Sequence, residues 1–169
     1  LVQVGGGALA SSTVQALGDV VTRGGPSTRP GLVAVQHEGC APLARAFNRV
    51  ASADDPMATL VVADASSDDG SAMWPWTDPA SVATGLLDDV VYDWRALVHD
   101  MLLGPTPGGP VAATEADLVD AHALVLAHTE VSADPTGTAG LAGLLAARRH
   151  GCIDASEEVV ILLTGVDRS

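Results

Sequence analysis

The chain has 169 residues, 47% of them hydrophobic, which is enough to bury the core of one domain or a large part of one. Its eight basic residues are all arginine and face 21 acidic ones, for a net charge of −13. That surface excludes nucleic acid and anionic membranes as partners, and a chain without lysine supplies neither a Schiff-base amine nor a P-loop lysine of its own.

Further exclusions follow from pattern. No apolar run reaches the roughly 18 residues of a membrane span, and no basic, apolar, small-residue leader is visible. The sequence opens directly on a strand at Leu1 without an initiator Met, so a piece of a longer protein is expected. Cys40 and Cys152 are expected as two thiols of a reducing, cytoplasmic compartment, and the five histidines lack the spacing of a metal site.

In chain order, residues 1–4 read as a buried strand. Ala8 to Arg23 reads as a helix, with Ala10, Val14, Leu17 and Val21 on one face and Gly24-Gly25-Pro26 as its stop. Gly31 to His37 is a second strand and Pro42 to Val50 a short helix. This strand–helix–strand–helix opening favours a parallel sheet covered by helices.

The stretch from Ala51 to Asp93 is less regular and acidic, and includes Asp64, Asp68 and Asp69. Its Trp74-Pro75-Trp76 is either a loop folded onto the core or the wall of a pocket or subunit contact. Val91 to Leu103 is weakly helical up to Gly104-Pro105, and Pro110 to Ala113 suits a strand. Thr114 caps a helix running to His128, with Glu115 and Asp117 in its first turn. Asp134 and Pro135 start a further helix to Arg149, so rich in Gly, Ala and Leu that deep burial is expected. Gly151 ends it, and Glu157 to Leu163 reads as a final buried strand.

The run Gly5-Gly6-Gly7 between the first strand and first helix is an anion cradle. Glycine lets the backbone turn sharply and approach a bound group, and the unpaired N–H groups of the helix start lie at its positive end. Three readings stay open: a dinucleotide, another phosphate, or a tight turn. Gly5-x-Gly7-x-x-Ala10 fits a dinucleotide fingerprint with Glu38 as the ribose acid, but Glu38 stands 31 residues beyond Gly7 where about 20 is usual.

The order of several segments is more specific. Leu1-Val-Gln-Val-Gly-Gly-Gly-Ala-Leu resembles the V-P-x-G-G-G-G-L loop of fold-type II pyridoxal-phosphate enzymes. Leu32-Val-Ala-Val-Gln-His-Glu-Gly-Cys-Ala-Pro-Leu is similar to their V-x-x-E-G-x-x-P-L, and Pro79-Ala-Ser-Val-Ala-Thr-Gly-Leu to their x-S-x-A-x-G-I. Val131-Ser-Ala-Asp-Pro-Thr-Gly-Thr-Ala-Gly-Leu-Ala-Gly-Leu is similar to x-E-P-x-G-A-A-x-x-A-G-L, and Val159-Val-Ile-Leu-Leu-Thr-Gly resembles the closing V-V-x-x-L-T-G. Among members such as threonine synthase and threonine dehydratase, the resemblance is closest to the threonine synthase-like ones, because Thr164 stands where others often carry Ser or Cys, while the Trp-rich middle does not match them.

The resemblance implies an α/β fold: a mainly parallel twisted sheet flanked by helices in three layers, part of a two-domain enzyme. Residues 1–169 would be the C-terminal part of the large cofactor-binding domain. The N-terminal half, which carries the Schiff-base lysine, is absent from this chain, so the chain alone would be inert. The implied activity is a pyridoxal 5'-phosphate-dependent lyase or synthase performing β-elimination or replacement on a small amino acid, as a homodimer. The resemblance places backbone N–H groups of Gly5, Gly6, Gly7, Ala8 and Leu9 on the cofactor phosphate. Gly85 would lie beside the cofactor ring, and Thr164 would set its hydroxyl by the pyridine nitrogen. Asp134 stands where the family often has Glu, although as a helix cap it needs no further role. An NAD(P)-binding oxidoreductase domain and a catalytically inactive scaffold of the same fold are the alternatives.

Overall fold

The apolar residues beside Gly5 form a short strand β1, Val2–Gln3, and helix α1 follows at Ala8–Thr22. These come from a computed structural model that describes residues 1–25, 27, 29–65, 72–104 and 109–166; of 63–65 only the backbone is described. Pro26, Asp68, Asp69 and Pro105, and the side chain of Asp64, singled out from the sequence, lie outside the description. Strand β2 is Ala34–His37 and helix α2 is Pro42–Ala51, with Pro42 in its first turn. Helix α3 spans Pro56–Ala65, a 3₁₀ turn Thr84–Leu86, and helix α4 Trp94–Leu103. Strand β3 (Val111–Ala113) and helices α5 (Glu115–His128) and α6 (Pro135–Arg149) complete the set.

The strands form a parallel sheet in the order β1-β2-β3, with Val2 beside Ala34 and His37 beside Ala113. Side chains alternate across it. Val2 and Val4 join Ala10 of α1, Leu43 and Val50 of α2, and Leu97 and Met101 of α4 in one core. Val35 and Ala113 join Leu118 and Ala121 of α5 and Ala139 and Ala142 of α6 in the other. The result is the expected sheet between two helical layers. Burial of α6 is as expected, with nine of its residues buried.

Local chemistry explains the helix starts. Thr114 accepts from the Asp117 N–H at 3.1 Å while the Asp117 carboxylate accepts from the Thr114 N–H, a reciprocal cap worth about 1 kcal/mol. Arg149, at the end of α6, places Nη2 2.6 Å from Asp117 Oδ1 and so ties the two antiparallel ends together. Asp134 caps α6 by accepting from Gly137 N–H at 2.6 Å. Buried Gln36 on β2 accepts from the N–H groups of Leu43 and Ala44 at 2.9 and 3.1 Å, pinning the α2 start to the sheet.

Two expectations are corrected. The stretch after Ala51, irregular by its sequence, contains helix α3; Asp55 accepts from Ala58 N–H at 3.0 Å and Pro56 opens the helix, the same Asp-Pro device as at residues 134–135. Glu157–Leu163 forms no regular strand and is not buried, Val160 being 71% exposed. It runs extended beside Leu1, whose N–H donates to the Val160 carbonyl at 2.6 Å and whose carbonyl accepts from Leu162 N–H at 3.2 Å. That is parallel spacing over a single residue. Among the described residues no further strand lines its other flank, so its valines stay open.

Candidate functional site

The glycine loop leaves the C-terminal end of β1, where a parallel sheet places its ligand crevice. Gly7 holds φ at +98°, the left-handed region, and is the N-cap of α1. Among the described residues no acceptor takes the N–H groups of Gly5, Gly6 or Gly7. The first turn of α1 carries no acidic side chain, and Ala8 and Leu9 are exposed. Free donors at a helix start favour an anion.

The loop is packed against residues 85–93. A Cβ on Gly5 would fall 2.3 Å from the Gly85 carbonyl oxygen and 2.6 Å from Asp88 Oδ2, so no side chain fits there. Tyr92 N–H donates to the Gly6 carbonyl at 2.9 Å, and Val91 presses on Gly7. Gly85 in turn donates its N–H to Thr136 Oγ1 at 3.0 Å. Thr164 donates its N–H to the Gly137 carbonyl at 3.3 Å, and its hydroxyl accepts from Gln3 Nε2. Gly5, Gly85 and Thr164, more than 75 residues apart along the chain, thus close into one rim through Thr136, Gly137 and Gln3. Asp134 serves that rim as the α6 cap, and its carboxylate also lies against Gly165.

Acidic groups frame the loop. Asp93 Oδ2 accepts from Ser11 Oγ at 2.6 Å, and the Cys40 thiol donates to the Asp88 carbonyl at 3.3 Å. Burial pushes the Cys40 thiol above its ordinary pKa, aided by the charges of Asp88 and Asp89 and opposed by Arg45. Trp74 and Trp76 stand under the Arg45 guanidinium, whose centre is 3.8 Å above the Trp74 ring. The tryptophan stretch is therefore a strap on α2, close to the first of its two sequence readings.

At the ends of β2 and β3 a second cluster lines an open cleft. Buried His37 accepts at Nδ1 from Gly39 N–H at 3.0 Å, which leaves its proton on Nε2, 3.0 Å from Glu115 Oε2. Glu115 also accepts from Ser81 Oγ and from Val82 N–H, both at 2.8 Å. The Ser81 hydroxyl, then the Val82 N–H, outweigh partial desolvation and hold Glu115 below its usual pKa, with His37 adding to the effect. Glu38 lies exposed on this cleft, its N–H donating to the Ala113 carbonyl at 2.9 Å. In the sequence Glu115 reads only as a helix-start acid, and Gln3 only as one residue of a strand; neither contact leaves a local sequence signal.

No protein-family model matches the chain, and no curated protein matches it. Among solved structures it is similar to a threonine deaminase from T.th., at 18% identity and a TM-score of 0.60, over 89% of this chain and 43% of that one. It is similar to maize serine racemase at 17% identity and a TM-score of 0.60, over 88% of this chain and 35% of that one. A fungal L-serine ammonia-lyase from Rhizomucor miehei matches at 20% identity and a TM-score of 0.62, over 98% and 44%. All three share their fold with most of this chain. The chain has the fold of a part of them and spans less than half the length of each.

Proposed function

We propose that this chain is the C-terminal part of the large domain of a fold-type II pyridoxal-phosphate enzyme, a lyase or synthase acting on a small amino acid. The observation that carries the proposal is the glycine rim: unpaired N–H groups at the start of α1, closed by Gly85 and Thr164 from distant parts of the chain. Those donors fit a phosphate, and the absence of side chains at Gly5 and Gly85 lets the glycine loop, the 84–86 turn and Thr136 pack together as its rim.

In this reading Gly5, Gly6, Gly7, Ala8 and Leu9 hold the phosphate through backbone N–H groups, and the α1 start adds its positive end. When bound, pyridoxal phosphate supplies an electron sink that lets a bond at the α-carbon of an amino acid break heterolytically. Thr164 would hold a bound cofactor by donating its hydroxyl proton to the pyridine nitrogen. A neutral hydroxyl leaves that nitrogen unprotonated, which suits elimination or replacement at Cβ. Gly85, packed on Gly5 without a side chain, would close the rim beside a bound cofactor. The lysine that such an enzyme needs is supplied by an N-terminal half, since this chain has none. Threonine and serine are the proposed substrate class, and a homodimer the proposed assembly.

The test is borohydride reduction of the full-length protein with pyridoxal phosphate, followed by peptide mapping. Cofactor fixed to a lysine upstream of Leu1 supports the proposal, and a panel of hydroxy amino acids then identifies the substrate. Absence of any labelled lysine overturns it. Quenching of tryptophan emission by NAD(P) would then favour the dinucleotide alternative with Glu38.

A further inference from the structure

Glu115 begins α5, immediately after the cap residue Thr114, yet its carboxylate is spent on another segment. One oxygen accepts the Val82 N–H and the other the Ser81 hydroxyl, each at 2.8 Å. Ser81 Oγ also accepts from the Ala83 N–H at 3.1 Å, so the turn is closed on itself and on Glu115 together. His37, at the end of β2, places Nε2 3.0 Å from Oε2, the oxygen that also accepts from Ser81. The turn leads directly into the 3₁₀ turn Thr84–Leu86, with Ala83 and Leu86 fully buried against α5 and α6. Gly85 is carried on this turn, its carbonyl aimed at Gly5.

From this geometry we propose that Glu115 is a positioning residue: it clamps residues 81–83 to the end of the sheet and so sets Gly85 against the glycine loop. The inference rests on the pyridoxal-phosphate reading for its consequence at the cofactor, and on geometry alone for the clamp. A carboxylate accepting two short bonds from one turn restrains it more than neutral acceptors would. Thr136 fixes the Gly85 N–H and the buried Ala83 and Leu86 anchor the 3₁₀ turn, but the approach to it through residues 81 and 82 is held by the Glu115 carboxylate. Loss of the clamp lets Gly85 withdraw and opens the ring side of the rim to water.

Two measurements on the full-length protein test the proposal. Amide hydrogen exchange without cofactor reads the clamp, and spectrophotometric titration with pyridoxal phosphate reads its consequence. In Glu115→Ala, exchange at Val82 and Ala83 rises about tenfold or more and the cofactor dissociation constant rises by a similar factor. Glu115→Gln keeps an acceptor for Val82 N–H and recovers most of both, which a general loss of stability would not. Unchanged exchange and unchanged affinity in Glu115→Ala overturn the inference while leaving the proposed function intact. Faster exchange with unchanged affinity overturns its consequence at the cofactor. A wild-type protein that takes no pyridoxal phosphate overturns the proposed function, and the positioning role with it.

Discussion

Gln3 donates a hydrogen bond from Nε2 to the hydroxyl oxygen of Thr164, joining residues 161 positions apart. Alternation along β1 makes this contact: Val2 and Val4 point into the core beneath α1, and Gln3 points to the α6 side where Thr164 runs. A threonine oxygen has one proton and two lone pairs, so a hydroxyl that already accepts from Gln3 keeps its proton for another acceptor. The resemblance has Pro at this position, and Pro cannot make the contact.

If the pyridine nitrogen is that acceptor, Thr164→Val weakens pyridoxal phosphate binding by on the order of tenfold. Gln3→Leu weakens it less, and the double variant is no weaker than Thr164→Val, because both changes act through one hydroxyl. Absorbance titration of the four proteins gives the cycle. Additive losses would show that Gln3 and Thr164 do not act together.

Gly7 and Gly18 should respond oppositely to alanine. At Gly7 a Cβ meets Val91 Cγ1 at 2.7 Å and φ is +98°, so Gly7→Ala destabilises by about 1–3 kcal/mol. At Gly18, inside α1, nothing lies within 4 Å of a Cβ, so Gly18→Ala stabilises by about 0.5–1 kcal/mol. Urea unfolding midpoints of the two variants check both signs.

The two thiols should separate kinetically. Cys152 is exposed; Cys40 is buried, donates to the Asp88 carbonyl, and burial raises its pKa. Alkylation of the native protein followed by peptide mapping is expected to label Cys152 first and Cys40 only on unfolding. Equal rates at both sites would contradict this packing around Asp88.

Acid sensitivity follows from two carboxylates. Burial alone would raise Asp117, but the Thr114 N–H and hydroxyl and the Arg149 guanidinium outweigh it and hold its pKa below the ordinary value. Glu115 is held low chiefly by the Ser81 hydroxyl. Each folded pKa is depressed, so each contributes stability that is present above the unfolded values, 3.8 and 4.5, and is lost as pH falls through the folded ones. Urea midpoints of the wild type should fall more steeply in that window than those of Asp117→Asn, which is already weaker at neutral pH.

Much of the fold is legible because local rules act where they can be read. Asp134-Pro135 and Thr114 announce helix starts through capping atoms a few residues away, and α5 and α6 begin as the sequence implies. Asp55-Pro56 carries the same signal, but the surrounding acidic run masks it. The apolar run 157–163 reads as a buried strand, yet burial depends on what lies alongside: among the described residues Leu1 alone pairs with it in strand fashion, and α6 touches it at Gly140 beside Ile161. Within the site, the glycine loop is contiguous and visible. Gln3 with Thr164, and Glu115 with Ser81, are long-range pairs that only the folded chain brings together.

The central claim is that the glycine loop holds the phosphate of a pyridoxal cofactor. Its most direct test is equilibrium binding of pyridoxal phosphate and of pyridoxal, which lacks the phosphate, to the full-length protein. Several charge-assisted bonds from loop N–H groups predict that pyridoxal phosphate binds on the order of a hundredfold more tightly or better. Equal affinities, or binding of neither compound, would contradict the account.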